Sequence, residues 1–529
     1  MSYTSLLFFV FVFFSVAVFY LVPKKAQWIV LLIASIIFYA YSGWENLIFV
    51  LVSMTAAYFG ARYMGKNWEQ QKEALAVEEI DKKQKKAIKE KFKKERKKRL
   101  IWILVILLGL LAVIKYTNFM IGNINGILSF FGTGGEISKL NLIVPMGISF
   151  YTFQMVAYLM DCYKGKIEPQ ENFLKYALYV CYFPHIVQGP IARYHQLGEQ
   201  LYKEKTFRMD RIRDGLLLMM WGLFQKLVIA DRISPFVSEV YRTYELHSGM
   251  LLFTATVLFS IQIYADFSGC MDIVGGVSEL FGIHLEKNFN HPYFSKTIPE
   301  FWRRWHITMG AFFKDYVFYP VSVSKASLNL NKNARKAFGA NVGRIISSCF
   351  PVLIVWVLTG LWHGSAWTFI FWGLFHGILV MLSTVFTDPL KNVSEKIHLK
   401  TDSWWWKLIQ MLRTFLLCTF SRIFFQSPNI QTAFGVFKRI FTSVGANEVF
   451  SMQLFEHGID QPNFICFAVA VLILLIASCL QERMNVREKI TALPLPIRWL
   501  FYYLAFFVLI IFGVYGPGYD ASSFLYEQF

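Results

Sequence analysis

The chain has 529 residues, of which 55% are apolar, 18% aromatic and only 17% charged, against about a quarter charged in ordinary globular proteins. That balance excludes a soluble multidomain protein, a disordered scaffold and a collagen-like fibre, and leaves a protein dissolved in lipid. A formal net charge of +18 raises nucleic acid as a partner, and the placement of the charges decides that question.

A bilayer core of about 30 Å needs roughly 20 apolar residues in a helix. In chain order the predicted spans are 6–22, 27–41, 45–63, 100–120, 142–160, 214–230, 250–268, 345–361, 366–386, 408–425, 464–480 and 499–515. Lipid-exposed backbone must satisfy its own hydrogen bonds, so helices are the default. No repeat or Pro-rich linker divides the chain, and one all-α polytopic domain over 1–529 is expected. The first span is preceded by uncharged Met1-Ser2-Tyr3-Thr4 and followed by Lys24-Lys25, the reverse of a cleavable signal. The positive-inside rule then places the N-terminus outside.

Two further spans, turning at Ser42-Gly43, lead to a basic cytoplasmic insert at 66–99, which holds 14 basic and 7 acidic side chains. Its run from Lys82 to Arg99 has a single aromatic, Phe92, where nucleic-acid binding would want interleaved stacking rings. A solvated helix pair that fixes topology and touches anionic lipid is the expected reading. Residues 121–141 follow as a Gly-rich outer loop. The segments 161–175 and 191–213 are both basic and hence inside, so the apolar piece 176–190 between them does not cross. Pro184 and Gly189-Pro190 break its helix, which predicts a re-entrant segment. The stretch 269–344, with 10 basic and 5 acidic residues, belongs inside. The stretches 231–249, 426–463 and 516–529 come to −1, −1 and −2, as outer loops. Twelve crossings with both termini outside result, within a range of 11–13. The charge thus reports orientation, and nucleic acid drops out. Seven cysteines without a CxxC pair give neither a disulfide framework nor a metal site.

Polar residues in or beside spans are costly and usually functional. His247, His284, His291, His398 and His457 read as loop residues, while His185 and His376 read as packing residues. His306 lies in Phe301-Trp302-Arg303-Arg304-Trp305-His306, ahead of Lys314-Asp315-Tyr316. A helix there puts Trp302, Trp305 and His306 on one face. An interfacial amphipathic segment and a cytoplasmic mouth for an anionic donor both fit, since arginine favours phosphate, and the residues alone do not choose between them. His363 stands in Gly360-Leu361-Trp362-His363-Gly364-Ser365-Ala366-Trp367, where glycines admit close approach and Trp362 and Trp367 would wall a narrow cavity. A histidine so placed suits general acid–base work, and the catalytic reading is favoured over a helix–helix hydrogen bond. Asp266-Phe267-Ser268-Gly269 and Asp272 either order a pocket, bind a cation or close a helix on Gly269. No GxSxG elbow, P-loop or HExxH is present.

Taken together, Tyr182-Phe183-Pro184-His185, Gly189-Pro190-Ile191, Asp266-Phe267-Ser268-Gly269, the 301–306 and 314–316 motifs, Gly360-Leu361-Trp362-His363-Gly364, Arg422-Ile423-Phe424-Phe425 and Phe524-Leu525-Tyr526 resemble the membrane-bound O-acyltransferase (MBOAT) superfamily. The resemblance is to its bacterial branch of alginate O-acetyltransferases and teichoic-acid D-alanyl transfer proteins. It implies a ring of tilted helices around a central tunnel, with re-entrant inner segments and a motif segment at 301–320 on the cytoplasmic side. It assigns His363 as the essential histidine and His306 as a second motif histidine. Trp302, Arg303, Arg304, Trp305, Asp315, Tyr316, Asp266, Ser268, Trp362 and Trp367 would line the donor path.

The expected activity is transfer of an acetyl group across a bacterial cell membrane. The donor would be a cytoplasmic thioester, acetyl-CoA, with no tightly bound cofactor. The acceptor would be an extracytoplasmic polysaccharide hydroxyl, reached directly or through a secreted SGNH-like acetyltransferase; membrane lipid is the remaining partner. A length of 529 favours this over D-alanyl transfer to teichoic acid, and a transporter or flippase ranks third. The insert 66–99 and Glu527 in the closing residues depart from the family pattern.

Overall fold

The structure, a computed structural model, describes residues 1–76, 81–132 and 135–516. It is all-α: among the described residues extended pairing is limited to one isolated bridge, Phe289 with Trp305. The expectations for 516–529 concern residues almost wholly outside that range. The chain gathers into two compact units, 1–212 with 277–286 and 213–276 with 287–529.

The first unit holds α1 (Leu6–Leu21), α2 (Gln27–Ala40), α3 (Trp44–Leu75), α4 (Lys82–Phe130), α5 (Ile148–Lys164), α6 (Phe173–Cys181) and α7 (Tyr194–Tyr202). Helix α4 starts on a capping box, Asp81 accepting from Gln84 N and Gln84 answering to Asp81 N. It then runs through the basic insert and the predicted span 100–120 as one 49-residue helix. The outer loop expected at 121–141 is therefore helical as far as Phe130. Its isolated Gly122 and Gly126 weaken a helix by about 1 kcal/mol each, which does not stop one this long. The insert is a helix pair: Arg96, buried between α3 and α4, bonds Asn67 and Gln71 at 2.8 Å each and lies 3.6 Å over the Trp68 ring. Residues 176–190 are buried throughout, with the helix ending at Cys181 and irregular backbone following. Ser35 Oγ accepts from Phe183 N and Tyr3 Oη donates to Phe183 O, which meets the needs of non-helical backbone away from water.

The second unit opens with a continuous helical run: α8 (Met209–Leu223), a π-helical stretch Phe224–Ala230, and α9 (Asp231–Arg242). There follow α10 (Gly249–Leu280), α11 (Ile298–Arg304), α12 (Ile307–Phe313), a second π stretch Lys314–Phe318, α13 (Tyr319–Ser322) and α14 (Lys325–His363), interrupted at Gly339. The chain continues through α15 (Trp367–Lys396), α16 (Trp404–Gln426), α17 (Ile430–Thr442), α18 (Gln461–Gln481), α19 (Val486–Thr491) and α20 (Leu495–Phe512). Helix α10 passes straight through Gly269, correcting the helix end expected there. That glycine serves close packing: a Cβ on it would lie 2.7 Å from Gly222 O.

Among the described residues eight helices are long and apolar enough to cross a membrane: α3, α4, α10, α14, α15, α16, α18 and α20, with α1 shorter at 16 residues. The chain is a polytopic membrane protein. Of the twelve predicted spans, 27–41 gives a helix of 14 residues, about 21 Å at 1.5 Å per residue. The span 142–160 loses its first turns because α5 starts only at Ile148. The span 214–230 joins a run that carries a buried ion pair.

Candidate active site

Two glycines set the α14–α15 hairpin. A Cβ on Gly360 would lie 2.5 Å from Phe369 O, and one on Gly373 would lie 2.4 Å from Trp356 O. The backbones therefore touch, and His363, the last residue of α14, is only 4% exposed. Its ring is walled by Trp362 (4.9 Å between centroids), Trp372 (4.8 Å) and Phe425 of α16 (5.4 Å). The second tryptophan of the wall is thus Trp372; Trp367, expected there, is 50% exposed at the start of α15.

The 301–306 motif does not form one helical face. Helix α11 stops at Arg304, Trp305 is extended, and His306 takes the left-handed conformation at φ 48°. The cause is a short pairing with residues 288–290: Asn290 N bonds Arg304 O at 2.9 Å and Ile307 N bonds Asn288 O at 3.0 Å. This turn buries His306 completely, with its ring 4.9 Å from Phe267 and 5.7 Å from Trp362. The indole of Trp362 thus contacts both motif histidines.

Asn288 fixes the state of His306. Its Oδ1 accepts from Thr308 N (3.1 Å) and Thr308 Oγ1 (2.9 Å) and faces His306 Nδ1 at 3.2 Å. A carboxamide oxygen only accepts, so Nδ1 carries the proton and Nε2 the lone pair. Burial pushes the imidazolium of His306 down to about 3 from 6.5, so the ring is neutral at physiological pH.

The other expected residues divide. Trp302 joins the cage, 5.6 Å from Trp372 and 4.7 Å from both Trp356 and His376. Trp305 faces Arg422, whose guanidinium carbon is 4.5 Å from the indole centroid. Arg303 is exposed. Arg304 is engaged by two carboxylates, Glu300 at 3.2 Å and Glu482 at 2.6 Å. Burial works against the Glu482 carboxylate, yet Arg304 and His291 hold it below its ordinary value. Asp315 and Tyr316 lie on the second π stretch, with Tyr316 5.2 Å from Phe312. Ser268 is buried on α10. Asp266 closes a buried ion cluster with Lys226, which also meets Asp231 (2.7 and 2.8 Å).

Residues 168–334 match the sequence model of the MBOAT, membrane-bound O-acyltransferase family. That segment includes Asp266 and the 301–306 motif and stops short of His363. The chain is 29% identical over 433 residues to the peptidoglycan O-acetyltransferase of Helicobacter pylori, covering 74% of this chain and 76% of that one. The chain is thus similar to membrane-bound O-acyltransferases over the 168–334 segment and, along most of its length, to this relative. An Azotobacter vinelandii relative, named "Probable alginate O-acetylase AlgI", is 29% identical over 64% of this chain and 62% of its own length. A Bacillus subtilis relative named teichoic acid D-alanyltransferase is 30% identical over 45% and 59%. The match therefore takes in less than two thirds of the length of these last two.

Sequence reasoning missed four residues of the cage: Asn288, Trp372, His376 and Arg422. His376, read as packing within its helix, accepts from Trp302 Nε1 at 3.3 Å on Nδ1 and meets Ser421 Oγ at 2.9 Å through Nε2. Its spacing of thirteen from His363 gave no hint of this. Arg422 offered a signal, an arginine inside an apolar stretch, which the 3.6-residue pattern alone does not connect to positions 305 or 363.

Proposed function

We propose that this chain is a membrane O-acetyltransferase that moves an acetyl group from a cytoplasmic thioester, acetyl-CoA, to a polysaccharide hydroxyl on the far side of a bacterial cell membrane, directly or through a secreted acetyltransferase. The observation that carries the reading is the pair of buried motif histidines, His306 and His363, both in contact with one indole, Trp362. His363 would take the proton of the acceptor hydroxyl as it attacks the thioester carbon and return it to the leaving thiolate. A positioned histidine of this kind is worth about 10²–10⁴ in rate. His306, held neutral with its lone pair on Nε2, would orient the donor side. The aromatic wall would exclude water, which otherwise hydrolyses a thioester. The basic loops would face the cytoplasm and the N-terminus the exterior.

The reading is tested by His363→Ala in the full chain at unchanged membrane abundance, with polymer acetyl content measured. Acetylation should fall by about 10² or more; retained acetylation would sink the reading. D-alanyl transfer from a carrier protein is the second reading, supported by the relative so named. Supplying membranes with acetyl-CoA or with a D-alanyl carrier separates the two.

A further inference from the structure

Arg422 is 2% exposed, yet among the described residues no carboxylate lies within ion-pair distance of it. Its guanidinium neighbours the Tyr293 hydroxyl and lies against the rings of Trp305 and Phe425 at 4.5 and 5.9 Å. Its Nε and Nη2 reach no hydrogen-bond acceptor in the described chain. Arginine stays charged in any protein setting, and a buried cation left without an anion is strongly unfavourable. Such a group is retained where an acceptor arrives with the ligand.

A second donor in the same place has the same property. Trp372 is 1% exposed and its Nε1 reaches no acceptor in the described chain, although buried indole N–H groups usually find one. Arg422, Trp372 and His363 all contact the one ring of Phe425, at 5.9, 5.0 and 5.4 Å. Two donors without acceptors therefore share a ring contact with the histidine assigned to the proton, and Trp372 also lies 4.8 Å from it.

We propose that Arg422, with Trp372 beside it, binds the carbonyl oxygen of the acyl group in transit and holds the negative charge that develops there. This rests on the acyl-transfer reading above. The acceptor oxygen attacks the thioester carbon and forms the new C–O bond. The carbonyl π pair moves onto oxygen, facing Arg422 Nε and Nη2, and the hydroxyl proton passes to His363. Collapse restores the carbonyl, breaks the C–S bond, and the thiolate leaves with the proton from His363. Charge on the oxygen exists only between these events, so the donors act on turnover rather than on donor binding.

The test uses the full chain in native membranes with labelled acetyl-CoA as the probe, comparing Arg422→Gln, Arg422→Lys, Trp372→Phe and His363→Ala. Arg422→Gln should lower kcat by about 10²–10³ and Trp372→Phe by about 10-fold, with KM for acetyl-CoA within about threefold of the parent. Arg422→Lys keeps the charge without the planar fork and should recover only part of the loss. A kcat above about a third of the parent in Arg422→Gln would overturn the proposal, as would a loss confined to KM. Equal loss of folded protein in both Arg422 variants would make the residue structural and would also overturn it. Retained activity in His363→Ala would instead defeat the acyl-transfer reading itself, leaving the Arg422 result to be judged separately.

Discussion

Among the described residues the second unit buries two cations, Lys226 and Arg422, and they are handled in opposite ways. Lys226, 1% exposed, lies 2.7 Å from Asp266 and 2.8 Å from Asp231, so its charge is met inside the chain. Arg422, equally buried, is met by aromatic faces. A cation over a ring gains about 0.5–2 kcal/mol, well short of what desolvating a guanidinium demands. The difference teaches how to tell a structural charge from an available one. Depth and residue type do not separate the two; the count of chain groups that answer the charge does.

That contrast can be broken experimentally, beginning where the effect is largest. Lys226→Met strands Asp266 beside Asp231 and should cost about 3–5 kcal/mol, read as a lowered unfolding temperature in detergent; an unchanged temperature would erase the distinction. His376→Phe removes the bonds to Trp302 and Ser421 and should cost about 1–3 kcal/mol, by the same measurement. The next effect is one of pH. His306 is neutral in the fold, with its pKa lowered from 6.5 to about 3, so below pH 6.5 the unfolded chain binds the extra proton. Its contribution is complete above that pH and is lost on acidification, by about 1.4 kcal/mol per pH unit until the folded group titrates. His306→Asn, which tolerates the left-handed backbone, should flatten that part of the stability–pH curve. Arg304→Gln, at a half-buried pair, should change stability by at most about 1 kcal/mol. Last, Arg422→Met should change stability by no more than the about 0.5–2 kcal/mol of its ring contacts while activity collapses, because no carboxylate of the described chain is stranded by its loss. A fall matching that of Lys226→Met would place both cations in one class.

Apolar runs and motif residues carried most of what the sequence revealed. The all-α membrane fold follows from windows such as 464–480, where period and length leave one answer. Histidines 306 and 363 stood out because they are polar where polarity is expensive. The failures have a common cause in pairing between distant positions. Nothing near Trp305 announces that residues 288–290 will pair with it and unwind the helix before His306. Trp367 is nearer to His363 in the chain than Trp372, four residues against nine, yet the α14–α15 contact selects the second. Helix α4 ran past its expected end because two lone glycines resemble loop punctuation yet do not outweigh 49 residues of helix.

The π-helical stretch Phe224–Ala230 has a consequence for chain length. Residues five apart stand about 140° apart around an α-helix, whereas a π turn bonds residue i to i+5. Asp231 N bonds Lys226 O in that way, which brings the two side chains to the same side. Deleting a single residue here would let the run wind regularly and swing everything after it by about 100°. The phase of α9, and with it the partner available to Lys226, is thus stored in a spacing rather than in any residue's identity. When this stretch is aligned with another chain, a one-position gap is a change of azimuth.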